Sequence, residues 1–142
     1  MQKNKQIAIT TIRLILGFIF FFQGFGKVFK FGLEAVYKNF FLASYGDLLP
    51  DFLLLFTAYY TSIIELTAGF LLVIGFKRDY ALYALASVLV IVTIGHGLKE
   101  PIWDLSHVMY RTILLVSLLI LPRELDIFSV DVFIDTKLKK QK

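Results

Sequence analysis

Hydrophobic residues in this chain come in long blocks that short polar segments separate. The blocks lie at about residues 7–29, 52–76, 80–98 and 107–121, and each is continuous enough to predict an apolar helix. A helix needs about 20 apolar residues to cross the hydrocarbon core of a bilayer. The pattern therefore predicts an all-α integral membrane protein, a four-helix bundle that forms a single domain over residues 1–142.

The segment between the first two blocks is mixed in character. Its apolar residues recur at helical spacing, and they are Phe29, Leu33, Val36 and Phe40. We expect a short amphipathic helix that lies in the membrane interface and ends before Gly46 and Pro50. Pro122 closes the fourth block, and residues 123–142 form a tail.

The basic residues indicate the orientation of the helices. With the N-terminus inside, ten Lys and Arg residues fall on the inner side and four on the outer side. The inner ten are Lys3, Lys5, Arg13, Lys77, Arg78, Arg123, Lys137, Lys139, Lys140 and Lys142, and the outer four are Lys27, Lys30, Lys38 and Lys99. The bias predicts that both termini and the tail are cytoplasmic.

Composition narrows the classes of function. Hydrophobic residues make up 58% of the chain, and the mean hydropathy is +0.74. The chain has no cysteine, which excludes disulfide exchange and thiolate metal sites. The net charge of +4 is read as a topology signal and not as a nucleic-acid surface. The first block is too long for a signal peptide, so we take it as an uncleaved span.

Glu65, in the middle of the second block, is the main candidate for a functional residue. A carboxylate at mid-bilayer costs several kcal/mol, about 3 or more, unless it is paired, protonated or hydrated. Small residues on its helix face, Ala68 and Gly69, predict close helix packing, as do Gly17 and Gly24 on the first helix. Glu65 should therefore face the interior of the bundle.

The partner of Glu65 is open at this stage. Arg13 and Lys27 share a stripe with Gly17 and Gly24 on the first helix, and either Arg13 or Arg111 lies at a depth from which it can reach Glu65. The pair is either a buried ion pair that fixes helix register or part of a ligand or proton pathway.

Two histidines, His96 and His107, lie at the outer ends of the third and fourth helices. A metal or haem site is one interpretation, but no recognised ligand spacing supports it. We favour a polar lining that hydrogen-bonds a quinone or a similar ring. No catalytic residue and no metal ligand is assigned.

The order of these residues resembles the DoxX family of small bacterial and archaeal membrane proteins. The residues that carry the resemblance are Arg13, Gly17, Gly24 and Lys27 in the first helix, Glu65, Gly69, Gly75 and Arg78 in and after the second, and His96 in the third. The resemblance implies a four-helix bundle in the cytoplasmic membrane. It also implies a link to redox chemistry, since namesake members are associated with terminal quinol oxidase and thiosulfate:quinone oxidoreductase systems.

We therefore expect a non-catalytic accessory subunit of an inner-membrane complex linked to quinone chemistry. Glu65 and Arg13 would form its polar centre, with Lys27, His96 and Arg111 lining an outward-facing cavity. The alternatives are an oxidoreductase component that handles quinone directly, and a small transporter or helper for lipidic cargo. Expected partners are membrane lipids and other membrane subunits or a second copy of the chain.

Overall fold

A computed structural model describes residues 2–100 and 106–139, and within these two ranges the regular elements are helices and there is no strand. The elements in chain order are α1 (Gln2–Phe25) with a π-helical continuation (Gly26–Phe31), α2 (Leu33–Val36), a second π-helical turn (Tyr37–Leu42), α3 (Ala43–Tyr45), α4 (Asp51–Ile74), α5 (Arg78–Lys99), α6 (Ser106–Ile120), a 3₁₀ turn (Arg123–Leu125) and α7 (Val130–Lys139). The all-α prediction is confirmed.

Three helical stretches are long and apolar enough to cross a membrane. They are α1 with its continuation, of 30 residues, α4, of 24 residues, and α5, of 22 residues. The apolar part of α6, Val108–Ile120, is shorter. At 1.5 Å per residue α6 is only about 22 Å long, less than the hydrocarbon thickness of about 30 Å. The count of four spans therefore stays a prediction.

Helices α1 and α4 approach each other closely because glycines line their contact. A Cβ atom added at Gly24 would overlap the backbone nitrogen of Leu66, and one added at Gly69 would overlap that of Phe21. At Gly17 an added Cβ would lie 2.9 Å from the backbone nitrogen of Val73. Ala68 is buried in the hydrophobic core, whose fully buried large members are Ile9, Leu16, Phe20, Leu72, Leu82, Leu85 and Leu118. The small residues bring the backbones of α1 and α4 together.

The segment after α1 packs partly against α4 and leaves other apolar side chains exposed. Val36 and Tyr37 are buried, and Tyr37 packs against Leu54 of α4, whereas Phe29 and Phe40 are exposed. π-Helical turns lie on both sides of α2. Exposed apolar side chains are what a helix in the membrane interface presents to lipid, so the interfacial helix stays a prediction.

The turn between α4 and α5 is held by the C-terminal segment. Gly75 and Lys77 both adopt left-handed backbone conformations, with φ of 71° and 48°. The Asp131 carboxylate accepts hydrogen bonds from the backbone N–H groups of Lys77 and Arg78, at 2.9 and 3.0 Å. The Asp131 N–H in turn donates to the Gly75 carbonyl at 3.0 Å. The chain after Pro122 therefore folds back onto the end of the bundle.

Candidate functional site

Glu65 is buried in the bundle and forms an ion pair with Lys27. The Glu65 Oε2 and Lys27 Nζ atoms lie 2.7 Å apart, and the two side chains are 3% and 27% exposed. Lys27 belongs to the π-helical continuation of α1, two residues beyond the end of the α-helix. Gly24 brings α1 against the backbone at Glu65 and Leu66, so the lysine is close enough to reach the carboxylate.

Arg111 of α6 lies at about the same depth as Glu65. Glu65 precedes Gly75 by ten residues, and Arg111 precedes Leu121 by ten residues, so both lie about 15 Å above the same end of the bundle. The C-terminal ends of α4 and α6 lie side by side, since the guanidinium of Arg78, just after α4, donates to the Leu121 carbonyl, just after α6, at 2.8 Å. Arg111 is close enough to stabilise the Glu65 carboxylate electrostatically, although Lys27 is the residue in direct contact.

Arg13 is not a partner of Glu65, which corrects the expectation that these two residues form the polar centre. Its Nε atom lies 2.8 Å from Asp126 Oδ2, and the two side chains are 2% and 0% exposed. The remaining donors of Arg13 go to the carbonyl oxygens of Leu72, at 2.8 Å, Val73, and Phe128, at 3.1 Å. Leu72 follows Glu65 by seven residues, so Arg13 lies about 10 Å further along α4 than the carboxylate that it was expected to meet.

Asp126 and Asp131 are partners of buried groups that the sequence did not identify. Both follow Pro122, where charged residues are ordinarily solvated, and their spacing has no recognisable period. The available signal was indirect: Arg13 lies within an apolar helix, and a buried cation requires an acid. Only the return of the C-terminal segment shows which acid that is.

A cavity of about 650 Å³ lies between the segment before α4, α4 itself and the end of α5. Most of its walls are apolar, and Thr57 and Thr61 of α4 add hydroxyl groups. Its other residues are Phe40, Phe41, Ser44, Tyr45, Leu49, Leu53, Leu54, Ile91, Val92, Ile94, Gly95, His96, Leu98, Lys99 and Glu100. His96 lines this cavity, whereas Glu65, Lys27 and Arg111 do not. The residues that were expected to line one outward cavity therefore lie in two places: His96 at this cavity, and Lys27 and Arg111 away from it.

Tyr45 provides a hydrogen-bond donor at the cavity. Burial raises the pKa of its phenol, and the negative charge of Glu100 acts in the same direction. The Lys99 Nζ atom lies 5.8 Å from the centroid of the Tyr45 ring. Tyr45 therefore stays protonated around neutral pH, as a neutral donor facing an apolar space.

Comparison with known proteins gives a family. The sequence model of the DoxX family matches residues 8–97, which are 90 of the 142 residues. The chain belongs to the DoxX family. No curated protein and no solved structure matches it. With its apolar helices, this DoxX protein is a multi-pass membrane protein.

The family match separates the charged residues of this DoxX protein into two groups. Arg13, Lys27 and Glu65 lie inside the matched range, and Arg111 and Asp126 lie beyond it. The ion pair of Glu65 is therefore internal to the matched range, while the acid that pairs with Arg13 lies in the C-terminal segment, beyond that range.

A site formed by both histidines, His96 and His107, stays a prediction. His96 lines the cavity, but the side chain of His107 lies outside the described part of the chain. Among the residues that are described, no three His, Asp or Glu side chains are grouped as metal ligands.

Proposed function

We propose that this DoxX protein is an accessory subunit of an inner-membrane complex and that it binds a quinone or a similar apolar ring. The cavity of about 650 Å³ carries the proposal. Ligand pockets in proteins typically measure about 300–1,000 Å³ and combine apolar walls with a few polar groups. We further propose that both termini are cytoplasmic, from the distribution of basic residues.

The chemistry of the lining suits a ring that carries carbonyl groups. Tyr45 offers a phenolic donor at the cavity, and Thr57 offers a hydroxyl group on the α4 wall, whereas the Thr61 hydroxyl donates to the Ala58 carbonyl of its own helix. Aliphatic and phenylalanine side chains surround these groups and suit an apolar ring or tail. Because the chain has no cysteine, it has no thiol to exchange electrons with a ring, and we assign the electron transfer to a partner subunit.

A pair of glycine variants tests quinone binding. Gly95 lines the cavity, and a Cβ there would lie 3.6 Å from the Tyr45 hydroxyl, whereas a Cβ at Gly97 would meet nothing within 4 Å. We expect Gly95→Leu to weaken the binding of a short-chain quinone by about 5- to 150-fold, because overfilling the site costs about 1–3 kcal/mol. The matched control, Gly97→Leu, should bind like the unaltered protein.

The measurement is a fluorescence titration of the protein in lipid nanodiscs. A quinone that does not bind, or that binds equally well to both variants, would show that the cavity is not its site. The accessory role has its own test, which is purification of the native assembly in a mild detergent. Recovery of the fully folded chain alone, from cells that express every partner at natural levels, would contradict it.

A second candidate function is direct handling of quinone by this chain, and the position of His96 in the wall of the cavity is the observation that favours it. Glu65 is not among the residues that line the cavity, so it is not placed to exchange a proton with a ring there. If the chain takes part in the proton chemistry, His96→Gln should change the pH dependence of quinone reduction by the purified complex, while Glu65→Gln should not.

A further inference from the structure

The C-terminal helix α7 turns its acidic side chains toward the rest of the protein. Asp131, in its first turn, is buried and accepts the hydrogen bonds from the N–H groups of Lys77 and Arg78. Asp135, one turn later, lies 2.8 Å from the Arg123 guanidinium of the preceding 3₁₀ turn. The side of α7 that packs on the protein is therefore its polar side.

The apolar side chains of α7 form an opposite face that the protein leaves exposed. They follow the first helical residue at offsets of three, four and eight, as one face of a helix requires, and they are Val130, Phe133, Ile134 and Leu138. We call these four residues the outer face of α7. Phe133 is 61% exposed, and Phe128, just before the helix, is 68% exposed. A helix of a water-soluble protein turns such a face toward its core, so the outer face requires an apolar partner from outside the chain.

The attachment of α7 to the fold places it beside a membrane surface. Helices α4 and α5 are both long and apolar enough to cross a membrane, and a turn that joins two crossing helices lies at a membrane face. Asp131 fixes the first turn of α7 to this turn. Tyr80 and Tyr83, at the start of α5, are exposed, with ring centroids 6.3 Å apart, and exposed tyrosines are typical of the headgroup region. Helix α7 therefore begins where the bilayer meets water.

Lysines accompany the outer face. The Lys137 Nζ atom lies 5.0 Å from the centroid of the Phe133 ring, and Lys139 is exposed. The sequence continues with Lys140 and Lys142, which lie outside the described residues. A lysine can bury its aliphatic stem beside apolar side chains and keep its ammonium among lipid phosphates. Two copies of this face would instead bring like charges together, so the charge of the lysines favours anionic lipid over a second copy of the chain.

We propose that α7 lies along the membrane surface, with its outer face among the headgroups and upper acyl chains of anionic lipids. Amphipathic helices with basic residues bind such surfaces through buried apolar area and attraction to the headgroups. The proposal is independent of the cavity and of quinone binding. The lipid surface then holds in place the same segment that supplies Asp126 to Arg13 and Asp131 to the start of α5.

The absence of cysteine from the sequence allows a single fluorescent label to be placed on either side of α7. Ile134→Cys puts the label on the outer face, and Thr136→Cys is the matched control. The two positions are exposed, and they lie on nearly opposite sides of the helix at 3.6 residues per turn. Because neither side chain belongs to the core, both variants should fold like the unaltered protein.

The measurement is fluorescence quenching of the full chain in nanodiscs of phosphatidylcholine and phosphatidylglycerol. Lipids with bromine in the upper part of their acyl chains should quench the label at Ile134→Cys strongly and the label at Thr136→Cys weakly. Iodide in the surrounding solution should quench the two labels in the reverse order. Discs of phosphatidylcholine alone should expose the label at Ile134→Cys to iodide, because the attraction to the headgroups is then lost.

Lys137→Gln, added to the labelled Ile134→Cys protein, tests the role of charge. It should lower the ratio of shielded to iodide-accessible label by about 5-fold, as expected for one basic residue at an anionic surface. Lys38→Gln is its control, since Lys38 is an exposed cation between α1 and α4, and it should leave the ratio unchanged. Equal effects of the two variants would reflect net charge alone, and the proposal would be wrong.

Three other outcomes would also overturn the proposal. If iodide reaches both labels equally, the outer face stays in water. If neither iodide nor brominated lipid reaches the label at Ile134→Cys, protein covers the face, and a second copy of the chain is then tested by the mass of the particle. If brominated lipid quenches that label equally with and without phosphatidylglycerol, anionic lipid is not the partner.

Discussion

Replacing Asp126 by asparagine removes the charge that faces Arg13 and keeps the shape of the side chain. Because both side chains are almost fully buried, the variant leaves the arginine as an uncompensated cation. Removing one partner of a buried pair typically destabilises a protein by about 3–5 kcal/mol. We expect Asp126→Asn and Arg13→Gln each to fall in this range.

A double-mutant cycle measures the interaction itself. Two unit charges about 4 Å apart attract by about 4 kcal/mol at an effective dielectric constant of 20, and measured couplings of contacting residues reach about 3 kcal/mol. The Arg13 and Asp126 variants should therefore couple by about 2–3 kcal/mol. The Arg13 and Glu65 variants should couple by less than about 0.5 kcal/mol, because Arg13 of α1 meets α4 at Leu72, about 10 Å along that helix from Glu65.

The assay is equilibrium unfolding in mixed micelles of a nonionic detergent and dodecyl sulfate, followed by far-ultraviolet circular dichroism. A strong coupling between Arg13 and Glu65, together with independent effects at Arg13 and Asp126, would refute the pairing. It would also mean that the C-terminal segment does not return to the bundle as described.

Two further predictions concern packing and the C-terminal segment. Gly24→Ala should destabilise the protein by about 1–3 kcal/mol, because its methyl group would overlap the α4 backbone. The control, Gly26→Ala, places its methyl group in open space and should change the unfolding free energy by less than about 0.5 kcal/mol. Equal effects of the two variants in the same unfolding assay would contradict the close approach of α1 and α4. Asp131→Ala should cost about 2 kcal/mol and speed amide exchange at the start of α5, since it removes the acceptor of two N–H groups. Asp135→Ala removes only an exposed pair and should cost less than about 1 kcal/mol without changing that exchange.

The buried position of Glu65 was predictable because it depends on one helix alone. The apolar run around Glu65 sets its depth, and the small residues Ala68 and Gly69 on the same face indicate a neighbouring helix. Its partner depends on the height of α1 relative to α4, which no spacing within α1 reveals. Lys27, in the π-helical end of α1, meets the carboxylate, and Arg13 lies near the opposite end of the bundle, where it meets Asp126.

By itself, the sequence determined the helical class, the approximate limits of the apolar helices, the family resemblance and the burial of one acid, because runs of apolar residues and helical periodicity are local properties. Tertiary structure decided which charges meet. The C-terminal segment brings Asp126 to Arg13 across more than 100 residues of sequence, and α6 brings Arg111 near Glu65. It also separated His96 from the buried carboxylate, since the cavity forms where the segment before α4 covers α4 and α5. Such contacts depend on the relative heights and directions of helices, which are global properties of the fold.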